Sequence, residues 1–251
     1  MPNIRQMEDD VVGRFTAEVN KRFHTLHATG RPLPYAVGTA LSGQDHDLAD
    51  YLLGARGRFA LIEFKADRRS TLTELDKKPR LQLLESCRLD SGILRRSLNI
   101  HHFGWERLER RQLPQIGSQL VATIEVARYI PELASAAQVR LPLGRARLWD
   151  SNEFITSFFE VQSAGTNIHR FRRYLSELYA IVGKSGSSAL GRFEGTVLVY
   201  VPDLHGTAQI QTIRFKGFDQ LMELTINYEK ALTKQNHRPP PEQSRDQGLS
   251  M

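Results

Sequence analysis

The chain has 251 residues, 40% of them hydrophobic and 25% charged, which suits one large globular domain or two small ones and excludes a low-complexity or fibrous protein. No run of about 18 apolar residues is present to form a membrane-spanning helix, and the acids of "MPNIRQMEDDVVGRF" stand where a secretory leader needs an apolar stretch. A soluble, cytoplasmic protein with no membrane partner is expected. The net charge is +6, and the basic residues are 26 Arg against 8 Lys, a bias that suits phosphate oxygens because a guanidinium grips them with a two-pronged fork. The lone Cys87 cannot form an internal disulfide and reads as a small buried apolar residue.

In chain order, residues 7–26 place Val11, Phe15, Val19, Phe23 and Leu26 at helical intervals. A turn-rich stretch follows, with one short strand near Tyr35 to Leu41. "HDLADYLLGARGRFALIEFKA" sets two apolar runs around "GARG" and predicts a β-hairpin, its turn centred on Ala55 and Arg56. "STLTELDKKPRLQLLESCRL" predicts a helix with Ser70 or Thr71 as N-cap and Glu74 near the capping-box position, kinked or divided by Pro79. "NIHHFGWE" reads as a strand. Beyond it, residues 117–130 read as a strand, "SNEFITSFFEVQS" and "NIHRFRRYLSELYAIVG" as helices, "FEGTVLVYVPD" and "AQIQTIRF" as strands, and "GFDQLMELTINYEKALTK" as a helix. Residues 235–251, with three consecutive prolines and few apolar side chains, are expected to be disordered. The pattern is α/β: a mixed sheet flanked by helices, with residues 1–111 as a core and 112–234 as an elaboration of it or a second region.

The chemistry concentrates in "RFALIEFKAD". Alternate side chains of a strand share a face, so Glu63 and Lys65 point together while Ile62 and Phe64 point the other way. Phe59 and Leu61 on the charged side call for burial there too, which argues that the strand is covered on both faces and ends in a cleft. With the turn at Ala55 and Arg56, Asp50 falls opposite Leu61 and on the Glu63 face. Two carboxylates and an ammonium then meet. Carboxylate oxygens suit Mg²⁺ or Mn²⁺, and burial would depress the Lys65 pKa so that it could position or deprotonate a water. Residues 65–111 carry twelve Lys or Arg and seven Asp or Glu, most of the chain's basic surplus.

The spacing Asp50, then Glu63-Phe64-Lys65, resembles the PD-(D/E)xK nuclease superfamily, whose fold is restriction-endonuclease-like. The resemblance covers roughly residues 8–106. It implies a metal-dependent nuclease that hydrolyses DNA phosphodiesters, with Asp50 and Glu63 as metal ligands, the Phe64 backbone carbonyl as a third, and Lys65 on the water. Glu18, with Glu8 behind it, is the candidate for the superfamily's additional helical acid, and Gln82 or Lys78 for its polar residue on the following helix. Arg68, Arg69, Lys77, Lys78, Arg80 and Gln82 would face the nucleic acid. Ala49 replaces the eponymous proline, and Asp45 and Asp47 compete with Asp50 for the acid position. Relatives act in restriction, antiviral defence, repair and mobile-element biology, some as homodimers or beside a partner protein. The alternatives are an RNA-directed nuclease and a non-catalytic nucleic-acid-binding or partner-binding module of the same fold.

Other motifs carry less. His101 and His102 fall on opposite faces of a strand and read as packed or solvent-facing. "VGKSGSS" lacks the first glycine of a phosphate loop, and Asp203 and His205 read as a turn. Arg170, Arg173 and Tyr174 share one helical side that suits a phosphate contact or simple solvation. Trp105 and Trp149 read as core.

Overall fold

The computed structural model describes residues 4–31, 33, 35–41, 49–142, 147–181, 183, 194–202 and 208–236. Asp45, Asp47, Asp203, His205 and nearly all of the "VGKSGSS" loop lie outside them, as do residues 237–251 of the expected tail. The first helix, α1 (Ile4–Ala28), buries Val11, Phe15, Val19, Phe23 and Leu26, the stripe that its periodicity predicts. After β1 (Tyr35–Ala40) comes the hairpin of β2 (Tyr51–Ala55) and β3 (Arg58–Lys65). A 3₁₀ segment (Arg69–Asp76), α2 (Lys78–Leu89) and α3 (Ser91–Ile100) then lead into β4 (His101–Leu113).

β4 turns back as β5 (Gly117–Arg128), followed by α4 (Tyr129–Ala136), β6 (Leu148–Asp150) and α5 (Ser151–Thr156), which continues into one π turn at Ser157–Val161. β7 (Thr166–Asn167), α6 (Ile168–Ile181), β8 (Glu194–Pro202), β9 (Ala208–Lys216) and α7 (Phe218–Asn236) complete the described chain. The helices α3 and α4 were not anticipated. α7 also runs through Gln235 and Asn236, so the expected tail is helical at its first two positions.

The nine strands of the described residues form one sheet in the order β6-β5-β4-β3-β2-β1-β8-β9, with β7 paired on β3. The pairing is antiparallel except for β3 with β4, which is parallel because the 3₁₀ segment, α2 and α3 carry the chain back across one face. The boundary after residue 111 falls inside β4, and β1 pairs with β8, so strands from both halves of the chain share one sheet.

Two apolar layers hold the sheet. On one face, Leu52, Phe59, Leu61, Phe103 and Trp105 pack with Leu83, Leu84, Leu133, Phe171, Leu175 and Leu221 from the helices above. On the other, Tyr51, Leu53, Ile62 and Phe64 pack with Phe15, Val19 and Phe23 of α1 and with Phe154, Phe158 and Phe159. β2 and β3 are therefore covered on both sides. Gly104 makes the second layer possible beside β4, since a Cβ there would stand 2.5 Å from the Phe64 ring.

His101 and His102 divide between these layers, as their alternation predicts. His101 stacks on Tyr129 at 4.0 Å and meets the Tyr174 hydroxyl at 3.1 Å, whereas His102 packs edge-on against Phe154. Burial drives the His102 pKa down to about 3 and that of His101 well below the ordinary imidazole value. Both stay neutral in the fold while the unfolded chain takes up protons below about pH 6.5. Stability should thus fall as the pH drops from about 6.5 toward 3. Denaturant titrations of wild type and His102→Gln across that range should show the stability gap between them narrowing by up to about 1.4 kcal/mol per pH unit; a gap independent of pH would exclude this origin.

Candidate functional site

The hairpin turn sits one residue later than expected, at Arg56 and Gly57, which both adopt positive φ (49° and 69°) as a tight two-residue turn requires. The register is then Tyr51 opposite Ile62 and Leu52 opposite Leu61, and its next step places Asp50 opposite Glu63 rather than Leu61. Asp50 itself is a bend residue just before β2, and its carboxylate takes a place in the ladder of β3. Asp50 N donates to Ile62 O at 3.1 Å, and Asp50 Oδ2 accepts from Phe64 N at 2.6 Å. Because a strand residue's N–H and C=O point to the same side, the Phe64 carbonyl also faces the Asp50 edge, beyond the end of β2.

Glu63 and Lys65 are 1% and 4% exposed, which excludes an ion pair on an open surface. Lys65 Nζ lies 2.8 Å from Glu63 Oε1, 3.2 Å from Glu74 Oε1 and 3.8 Å from Glu8 Oε1. Arg80 reaches Glu74 Oε2 at 3.0 Å through Nε and Glu63 Oε2 at 3.3 Å through Nη2. Lys77 closes the outer side, 2.6 Å from Glu74 Oε1 and 3.4 Å from Glu63 Oε1. The Tyr129 hydroxyl donates to Glu74 Oε2 at 3.0 Å, and its ring lies 5.6 Å from the Arg80 guanidinium. Two buried carboxylates are thereby bridged by three cations.

The electrostatics follow from that arrangement. Burial would raise Glu63, but Arg80, Lys65 and Lys77 overcome it and hold the carboxyl down at about 2. Asp50, with Lys65 as its nearest cationic help, is pushed up to about 7 by burial and by the charge of Glu63. Burial also raises Glu8 against the pull of Lys65. For Lys65 the expectation is overturned: burial does favour the neutral amine, yet Glu63, Glu74 and Asp50 together raise its pKa. The side chain is a fixed ammonium, suited to donating hydrogen bonds and offsetting negative charge rather than to taking a proton from water.

Other expected residues distribute unevenly. Glu8, the second choice, reaches the cluster; Glu18 lies ten residues along α1, about 15 Å away at 1.5 Å per residue, beside Arg22, Arg107 and Trp149. Ser70 and Thr71 do not cap a helix through Glu74. Instead Asp67 Oδ1 accepts from Ser70 N at 2.8 Å, and Pro79 separates the 3₁₀ segment from α2, where it occupies the first turn. Arg80 is 3% exposed and spent on Glu63 and Glu74, so it cannot lie against a nucleic acid. Arg68 is exposed but grips Glu132 at 2.9–3.1 Å, whereas Arg69, Lys78 and Gln82 are exposed. Tyr174 turns inward to His101 and Ser97, away from the exposed Arg170 and Arg173.

Glu74, Arg80 and Tyr129 are the partners that the motif did not anticipate. One signal for Arg80 is present in the sequence: with Leu83, Leu84 and Cys87 it completes an i, i+3, i+4, i+7 stripe, so the helix that buries those three buries the arginine as well. No family model matches this chain, and no curated protein or solved structure matches it either.

Removing one member of such a cluster leaves an opposite charge buried and uncompensated. Arg80→Ala should lower unfolding stability by about 3–5 kcal/mol in urea, whereas Arg88→Ala, on the outer face of α2, should leave the midpoint unchanged. A loss for Arg80→Ala no larger than that of Arg88→Ala would show that the buried network is energetically idle.

Proposed function

We propose that this protein is a metal-dependent nuclease of restriction-endonuclease-like fold that hydrolyses DNA phosphodiesters, as the resemblance to the PD-(D/E)xK superfamily implies. The observation that carries this reading is that Asp50 accepts from Phe64 N, between Glu63 and Lys65, and stands close enough to both to feel their charges, while Glu63 and Lys65 are in contact. The donor set is all oxygen, which is the chemistry that Mg²⁺ and Mn²⁺ prefer. Asp50, Glu63 and the Phe64 carbonyl would hold the ion, with Glu8 rather than Glu18 as the helical acid. Bound there, the ion would lower the pKa of a water and offset charge on the phosphodiester.

The chain's own residues supply positioning and charge. Arg80 and Glu74 lock the Glu63 rotamer from behind, and Lys65, held as an ammonium, donates to a non-bridging phosphate oxygen or orients the attacking water. Lys77 is 46% exposed and sits at the outer side of the cluster; it exchanges its contact with Glu63 for the incoming phosphate, while Lys65 stays on Glu63 Oε1. Arg69, Lys78 and Gln82 are the exposed members of the expected nucleic-acid surface. DNA is favoured over RNA, and restriction, antiviral defence or mobile-element biology, alone, as a homodimer or beside a partner protein, is the setting.

A second reading has an observation of its own. Both Glu63 oxygens are engaged by cations, and among the described residues no group of three or more His, Cys, Asp or Glu is placed to hold a metal ion. A module that binds nucleic acid or a partner without cutting would keep this cluster as a rigid ionic core.

Purified protein with Mg²⁺ or Mn²⁺ should cut duplex DNA, with single-stranded DNA and RNA as parallel substrates. Lys65→Met and Asp50→Asn should each lower the rate at least about 100-fold, the usual cost of losing one charge-stabilising group, with unchanged circular dichroism. Cleavage unaffected in both variants rejects the assignment. DNA retained but uncut with either metal favours the binding module.

A further inference from the structure

A second charged feature lies at the other end of β3. There β7 pairs with Arg58 and Phe59, six or seven residues before Lys65 and so about 20 Å from it along the strand. Between α3 and α6 beside this pairing is a groove of about 360 Å³, lined by Arg95, Arg96, Asn99, Thr166, Arg170 and Arg173, with Gly92 at its rim. The segment next to Thr166 is tied down: Gly165 N donates to Asn99 O at 2.9 Å, and the Arg58 guanidinium donates to the Ala164 and Gly165 carbonyls.

Guanidinium groups keep their charge at any physiological pH, so four of them around one groove make it strongly electropositive. Glu177 serves two, accepting from Arg96 at 2.8 and 2.6 Å and from Arg173 at 3.2 Å. Asp90 stands close enough to feel Arg96 and Arg173, but its carboxylate caps α3 by accepting from Gly92 N and Ile93 N. Arg95 and Arg170 have no carboxylate partner among the described residues; the only bond of the Arg95 guanidinium is to its own helix, at Ser91 O. Two arginines are thus held in place by Glu177, and two are left facing the groove. A Cβ on Gly92 would stand 2.9 Å from Asp90 Oδ1 and 3.3 Å from Arg96 Nη1, so a larger residue there would press on the cap of α3 and on this arginine. No aromatic ring lines the groove to stack a base.

We propose that this groove is an anion site for a compact phosphate chain, a pyrophosphate or triphosphate group, either free or carried by a nucleotide. The size suits a small ligand, and the paired forks of Arg95 and Arg170 suit phosphate oxygens better than a single carboxylate. The site is separate from the Asp50, Glu63 and Lys65 cluster and does not depend on nuclease activity.

Isothermal titration of the full chain at low salt and without divalent metal, using sodium tripolyphosphate and then ATP, tests it. Saturable one-site binding is expected, weakened at least tenfold in Arg95→Ala/Arg170→Ala and only partly in Arg95→Lys/Arg170→Lys, which keeps charge but loses the fork. Arg110→Ala/Arg111→Ala removes the same charge from β4 and should leave the affinity unchanged. ATP binding more tightly than tripolyphosphate identifies a nucleotide as the source; equal affinities identify the phosphate chain alone. Absence of saturable binding, equal weakening in the β4 variant, or binding of a DNA oligonucleotide with no response to tripolyphosphate would overturn the proposal.

Discussion

The burial of Glu63 and Glu74, at 1% and 0% exposure, constrains much of the rest. Isolated carboxylates in an apolar interior would protonate or unfold the protein, and here three cations prevent that. Lys65 comes from the same strand as Glu63, Lys77 from the turn before α2, and Arg80 from the first turn of α2. The network therefore stitches the C-terminal end of β3 to the beginning of the crossover that leads to β4. Such a network adds little net stability compared with apolar packing of the same shape, but it penalises any arrangement that separates its members. It selects how the 3₁₀ segment and α2 sit on the sheet.

The position of this network follows from the layers. β3 is apolar on both faces along its length because helices cover both sides, and only its last turn of side chains can be polar without disturbing either core. Where β2 starts one residue short of Glu63, Asp50 takes over the ladder by accepting from Phe64 N through its side chain. β4 runs on past this point with β5 as a two-stranded ribbon, and its outer residues, Leu108 and Leu120 among them, are exposed because no helix of the described residues covers that far.

Electrostatics separates the members of the cluster into roles. Glu63 stays ionised because cations surround it, Asp50 is shifted the other way by its burial and by the charge of Glu63, and Lys65 stays charged because carboxylates outnumber it locally. The expectation of a lowered lysine pKa weighed burial alone. Burial acts on Lys65 in that direction, but a buried group in contact with two carboxylates responds to them more strongly than to desolvation.

Much of the architecture was legible in the residues. Hydrophobic periodicity marked α1, the β2–β3 hairpin, β5, α6, β8, β9 and α7, and the alternation of charges in "LIEFK" put Glu63 and Lys65 on one face, because these patterns record local geometry. The short helices α3 and α4 were not legible, since neither carries enough turns for periodicity to stand out from its flanking strands. Asp50 came to the end of β3 next to Glu63 despite a displaced turn, but with its carboxylate bound to Phe64 N. What the sequence could not determine was who meets Glu63 and Lys65. Glu8, Glu74, Arg80 and Tyr129 arrive from four different segments, spread from α1 to α4, and only the packing of those segments against one strand end sets their distances and, through them, the charge states in the cluster.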